Sequence, residues 1–173
     1  YGFVKKTKLL NHSGKELYIK LIDGLRNILP AGVNLRTQQE MSNLANAYKV
    51  SEGNSDYNYA LYYMNALLMD KPDPGESLFS NIVWSCSNEN IELSVNEKSI
   101  STFLSNHYFE KDHLLKGKEG SFLNYIHKPL LPDHEIIWYI IADVQKSQSD
   151  IGAIVSDLKD NDCIKEKLEN SLA

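Results

Sequence analysis

Long apolar runs are missing from this chain. No stretch approaches the ~18 continuous apolar residues that a membrane-crossing helix needs, so no membrane span is expected. Cysteine is scarce. Cys86 and Cys163 are the two present, too few for a disulfide framework. They suit one bridge in an exported protein and equally two reduced thiols in a cytosol, which leaves the compartment, cytoplasmic or secreted, open. The glycines build no phosphate-cradling loop: G-x-x-x-x-G-K-[ST] and G-x-G-x-x-G are absent, as are G-x-S-x-G, C-x-x-C and H-E-x-x-H. No cofactor is therefore expected. An excess of positive charge is also lacking. Lys and Arg number 18 against 23 Asp and Glu, a net charge of −5, which argues against general nucleic-acid binding. No signal peptide or lipidation motif is visible. A chain that starts at Tyr1 rather than Met suits a processed form or a domain excised from a longer protein.

What is present is an ordinary globular composition, with 42% apolar and 24% charged residues in 173. That is enough for a core without metals or disulfides and points to one domain spanning 1–173. Ten tyrosines add large amphipathic side chains. The charge is uneven. Residues 1–20 hold five Lys and one Glu, whereas residues 130–173 hold four Lys and nine acids. The bland reading is two solvated faces; the sharper one is an acidic C-terminal third turned toward a basic partner.

The segment most strongly marked for the core is Glu135 to Val144. Its unbroken run Ile136 to Ala142, rich in β-branched and aromatic residues and preceded by Pro132, predicts a strand buried on both faces. Ahead of it, Phe3–Leu10 and Leu17–Ile22 read as strands joined by the turn signal Asn11-His12-Ser13-Gly14. Asp23-Gly24 reads as a second turn, with Arg26–Leu29 and Val33–Leu35 as short further strands. Thr37, with Glu40 three residues on, predicts a helix cap. Asp56 or Ser55 predicts another, opening a helix over 57–69 with Tyr57, Leu61, Met64 and Leu68 as its stripe. Lys71-Pro72-Asp73-Pro74-Gly75 ends that helix, so any subdivision falls near 71–75. Ile82-Val83-Trp84 and Ile91–Val95 predict a hairpin, Ser99–Leu104 a short helix, and 149–158 and 162–172 two C-terminal helices. The fold class is α+β: an N-terminal antiparallel β-meander, a helical middle, then a β-hairpin and the buried central strand (135–144) backed by two C-terminal helices. Strands and helices do not alternate as a doubly wound sheet would require.

Five constellations bear on chemistry. Cys86, in W-S-C-S-N, precedes His134 and Asp143 in the order a thiol hydrolase uses. Asp143 stands roughly 30 Å along a strand from His134 at ~3.3 Å per residue, so it cannot orient that ring, and a structural cysteine is the plainer account. His107, Glu110, Asp112 and His113 have metal-ligand chemistry at spacings of three, which diverge by ~60° per step on an α-helix; a polar surface segment is the plainer account, and no metal is expected. Glu52, Asn54, Asp56 and Asn58 suggest the opening of a calcium loop without its glycine and terminal acid. The five histidines offer general acids and bases with no pairing legible from spacing. Tyr57, Tyr59, Tyr62 and Tyr63 on one helix are the rigid amphipathic anchors of a protein interface, unless they complete the core. Together these predict a non-catalytic protein-binding domain of accessory, immunity or inhibitor type. Its partner is another protein, basic if it meets the acidic C-terminal third. The alternative is a cysteine-dependent hydrolase or transferase acting as an effector or toxin domain, with Cys86 and His134 as its catalytic pair.

Overall fold

The computed structural model describes residues 2–33, 35–40, 42–66, 79–159 and 168–169. In chain order its elements are β1 (Phe3–Leu10), β2 (Leu17–Ile28), α1 (Leu35–Glu40), α2 (Ser42–Tyr48), β3 (Lys49–Asn54), β4 (Tyr59–Met64), β5 (Phe79–Ser87), β6 (Glu92–Ser94), α3 (Lys98–Asn106), β7 (Leu114–Lys116), β8 (Gly120–Leu130), β9 (Glu135–Ser147) and α4 (Gln148–Leu158). The molecule is α+β and dominated by its sheets. A six-stranded sheet has the order β1-β9-β5-β4-β3-β7, and a three-stranded sheet the order β2-β8-β6. All the pairings are antiparallel.

Alternation along the strands explains why the sheets stack. In β9, Ile136, Trp138 and Ile140 point one way, toward Phe122, Ile126 and Leu130 of β8. Tyr139 and Ile141 point the other way, against Ile82, Trp84 and Cys86 of β5 and under Ile151, Ile154 and Leu158 of α4. Successive side chains of a strand alternate faces, so a segment apolar at both parities has to lie between two layers. The three-stranded sheet repeats the arrangement with a smaller cover. Leu123, Tyr125 and Ile22 on its outer face meet Ile100 and Phe103 of α3. The result is four layers: α4, the six-stranded sheet, the three-stranded sheet and α3. No helix among the described residues is long and apolar enough to cross a membrane.

One carboxylate ties the two sheets together. Asp23 of β2 accepts the Trp138 indole N–H of β9 at 2.7 Å and the Thr7 hydroxyl of β1 at 3.4 Å, and pairs with Lys5 of β1.

Several expectations need correction. The N-terminal strands do not form a meander: β1 pairs with β9 and β2 with β8, in different sheets. Asp23-Gly24 is no turn, because β2 runs on through it to Ile28. Gly24 is glycine because β8 lies so close that a Cβ would collide with the Phe122 carbonyl. The expected strand at Val33–Leu35 is also absent, since Leu35 already begins α1. The expected hairpin of β5 and β6 is likewise divided between the sheets. The predicted helix over 57–69 is, where described, a turn and then strand β4, so the middle of the chain is a β3–β4 hairpin preceded by two short helices. The boundary at 71–75 and most of the last predicted helix lie outside the described residues. Leu168, read as inward-facing, is fully buried.

Candidate functional site

Helix α3 sets one wall of a surface cavity. Asn96 opens it, its Oδ1 accepting the Lys98 N–H at 3.1 Å. Ser99 is buried, its hydroxyl bonded to Ser94 and to the Glu110 carbonyl at 2.7 Å each. His107 closes the helix in the left-handed region at φ 55, its N–H returning to the Phe103 carbonyl. This anchoring turns Ile100 and Phe103 onto the sheet and leaves Leu104 71% exposed. A single exposed apolar side chain is ordinary; what sets Leu104 apart is that it lines a cavity together with Ile100 and Leu115.

The cavity beside it has a volume of about 570 Å³, within the ~300–1,000 Å³ of small binding clefts. Ile100, Leu104 and Leu115 of β7 supply its apolar lining. The rim is charged, and most of that charge is already matched. Arg26 at the far end of β2 pairs with Glu97, and Lys98 stands 3.4 Å from Glu110. Glu119 accepts the Gln38 amide at 2.8 Å and lies 3.6 Å from buried Lys49. Lys118 has no ion-pair partner among the described residues. Asn46 of α2 also lines the groove, and its Oδ1 is shielded from solvent without a hydrogen-bond donor among the described residues. An apolar strip, an unmatched ammonium and an unsatisfied acceptor are the elements of a binding groove. Among the described residues no imidazole or thiol lines it.

The residues singled out from the sequence lie elsewhere. Cys86 and His134 are not brought together. Cys86 stands opposite Tyr139 in β5–β9 register, and His134 precedes β9, roughly 16 Å further along at ~3.3 Å per residue. His134 is exposed, with Nδ1 3.0 Å from the Pro132 carbonyl. Asp143 accepts the Gly2 N–H at 2.9 Å. Cys86 is 5% exposed in the apolar layer under α4 and borders a second cavity of about 270 Å³ with Asp56, Tyr57, Asn58, Glu89 and Lys159. Among the described residues that cavity has no histidine. The tyrosines do not share a face. Tyr62 is buried within the core and donates to the Ser121 carbonyl at 2.8 Å; burial pushes its hydroxyl pKa well above the ordinary value. Tyr59 and Tyr63 face the opposite side of β4 and Tyr57 sits in the preceding turn. Tyr63 donates to Glu52 at 3.1 Å. Burial first, and then the Glu52 carboxylate, raise the pKa values of Tyr59 and Tyr63.

The suspected ligands of a metal are also scattered. His107 caps α3, Asp112 accepts the Asn96 amide at 2.8 Å, and His113 bonds the Ser55 hydroxyl at 3.2 Å. Asn54 caps the turn before β4 through the Tyr57 N–H at 3.1 Å. Among the described residues no three His, Cys, Asp or Glu side chains converge as metal ligands would. The groove was not legible in the sequence, since five separate segments build it. The nearest signal was Leu104, apolar four residues after Ile100.

No protein-family model matches the chain, and no curated protein matches it.

Proposed function

We propose that this is a protein-binding domain and that the groove beside α3 receives an extended or helical segment of its partner. The observation that carries the reading is Leu104, held 71% exposed beside a cavity of about 570 Å³. The occupant this chemistry fits is a peptide segment with an apolar anchor next to an acid. The anchor lies on Ile100, Leu104 and Leu115, and the acid meets Lys118. Burying one aliphatic anchor contributes about 1.5–3 kcal/mol, enough to select among segments when a charge adds register. Of the nine acids of residues 130–173 that suggested a basic partner, Glu135, Asp143, Asp150 and Glu169 are already engaged within the chain. At the groove the complementary charge is negative.

A peptide-display library panned on the whole chain tests this. Enriched sequences should carry an aliphatic or aromatic residue beside Asp or Glu. Their binding should fall about tenfold or more, the equivalent of ~1.4 kcal/mol, in Leu104→Asp and in Lys118→Glu. Both positions are exposed, so the fold should be unchanged by circular dichroism. Enriched peptides that bind both variants as well as the parent, or no enrichment at all, would overturn the reading.

A further inference from the structure

At the other end of β2 from the groove, three titratable side chains form a line. The Tyr18 hydroxyl lies 3.4 Å from Nδ1 of His127. Nε2 of the same ring lies 3.5 Å from Oε1 of Glu92. Lys111 holds that carboxylate from its far side at 3.0 Å. They come from separate elements, β2, β8 and β6, brought side by side by the three-stranded sheet.

The imidazole is fixed rather than loosely placed. It stacks on Tyr125 with centroids 5.0 Å apart and planes 13° apart. Tyr125 stacks in turn on Phe109 at 4.8 Å and 18°. Phe109 is 4% exposed and Tyr125 7%, so the column of rings rises from the core and ends at the surface in His127. In the tautomer with the ring proton on Nε2, toward the Glu92 carboxylate, Nδ1 is an acceptor. The acceptor is the atom that faces the Tyr18 hydroxyl. Nucleophile, base and orienting carboxylate therefore stand in the order that activates a hydroxyl. Distances of 3.4–3.5 Å suit a free site that tightens when a substrate is bound. Tyr18 is 63% exposed, so an electrophile can reach it, and Lys20, opposite His127 in the β2–β8 register, brings a positive charge to the same face.

We propose that Tyr18 is an acyl-acceptor site, its hydroxyl activated by His127 and the imidazole oriented by Glu92. The substrate class is an activated ester small enough to approach an open sheet face. Tyr18 Oη attacks the carbonyl carbon and the new O–acyl bond forms. The ester C–O bond breaks, and the phenolic proton passes through His127 Nδ1 to the departing oxygen. The products are an acyl-tyrosine and the free alcohol, and no further reactant is needed. The reaction does not depend on the groove, which borders Arg26, about 26 Å from Tyr18 at ~3.3 Å per residue.

Tyr108 provides a control within the molecule. It is as exposed as Tyr18, at 63%, and has no hydrogen-bond partner among the described residues. The whole chain is treated with limiting p-nitrophenyl acetate near neutral pH, and acetylation is mapped by peptide mass. Tyr18 should be acetylated at least about a hundredfold faster than Tyr108, the lower end of what a positioned base supplies. His127→Asn should bring Tyr18 down to the rate of Tyr108 while Tyr108 itself and the circular dichroism spectrum are unchanged. Glu92→Gln should slow Tyr18 by a smaller factor, because the ring keeps its place in the stack. Equal labelling of the two tyrosines, or a preference for Tyr18 that survives His127→Asn, would overturn the proposal.

Discussion

Lys49 is the residue whose chemistry is most at odds with its place. Its side chain is 2% exposed at the start of β3, with Nζ 2.5 Å from Gln38 Oε1 and 3.6 Å from Glu119. Burial lowers its pKa, and the Glu119 carboxylate offsets part of that effect. A lysine whose folded-state pKa lies below its unfolded value binds fewer protons in the folded state between the two. Stability therefore rises with pH through that window, which ends near the ordinary lysine value of ~10.4. Lys49→Met removes the desolvated ammonium and leaves Glu119 with its side chain one-third exposed. The variant should be at least as stable as the parent at pH 7 in urea, and should lack the parent's gain toward alkaline pH. A variant that unfolds several kcal/mol earlier would show that the pair contributes more than its desolvation costs. Gly120 illustrates a second residue-scale constraint. A Cβ there would strike the Ser51 hydroxyl and stand 2.6 Å from Cε1 of Tyr62. The cause of this glycine, the Tyr62 ring against the backbone, depends on a contact 58 positions away, which no local pattern carries.

At the scale of single elements much was legible. The run Ile136–Ala142 lies within β9, Ser99–Leu104 within α3, and 149–158 within α4. Each of these announces itself by local periodicity and by what flanks it. β4 shows how local reading fails. Tyr57, Leu61, Met64 and Leu68 fit a helical stripe, yet Tyr59–Met64 alternates Ala60, Tyr62 and Met64, all buried, with Tyr59, Leu61 and Tyr63, partly buried. When both faces of a segment are covered, the two periods cannot be told apart by hydrophobicity, and the three tyrosines in that strand were the overlooked sign of β structure. The start of α4 gives an element-scale prediction. Ser147 and Asp150 form a reciprocal capping box, with Ser147 N donating to Asp150 Oδ2 at 2.9 Å. The bonds from Ser147 hold the Asp150 carboxyl below its usual range. A depressed carboxyl contributes stability above its unfolded value, and that contribution is lost as pH falls through the folded value. Ser147→Ala should lower the urea midpoint at pH 7, and the gap to the parent should narrow below about pH 3, under the ordinary aspartate value of ~3.9. A gap independent of pH would show that the carboxylate is not part of the cap.

For the molecule as a whole, the decisive information was pairing, and pairing left little trace in sequence. β1, β2, β5, β6 and β9 could be located from their own residues and β3, β4, β7 and β8 were not; even for the first group, β1 meets β9 and β2 meets β8 across most of the chain, and neither turn signals nor alternation names a distant partner. The groove and the Tyr18–His127–Glu92 line inherit that illegibility, because each is assembled from segments that only the strand order brings together. Asp23 is where the two sheets depend on one side chain. Asp23→Ala leaves the Trp138 indole N–H, on a residue 3% exposed, without its acceptor, and should cost about 1–3 kcal/mol. The loss is read as a lower urea midpoint together with a changed tryptophan emission, whereas an unaltered midpoint would mean that the Asp23 bonds contribute nothing to holding the sheets together. The same long-range pairing has a consequence for how the protein is made. While the chain is being synthesised, β1 emerges first and finds no partner until β9 follows, on the order of ten seconds later at ~5–20 residues per second. For that interval Phe3–Leu10 and Leu17–Ile28 are open strand edges in a crowded solution, so the nascent chain is a natural client for chaperones that hold extended segments. Its yield on expression should depend more on those helpers than on the stability of the finished domain.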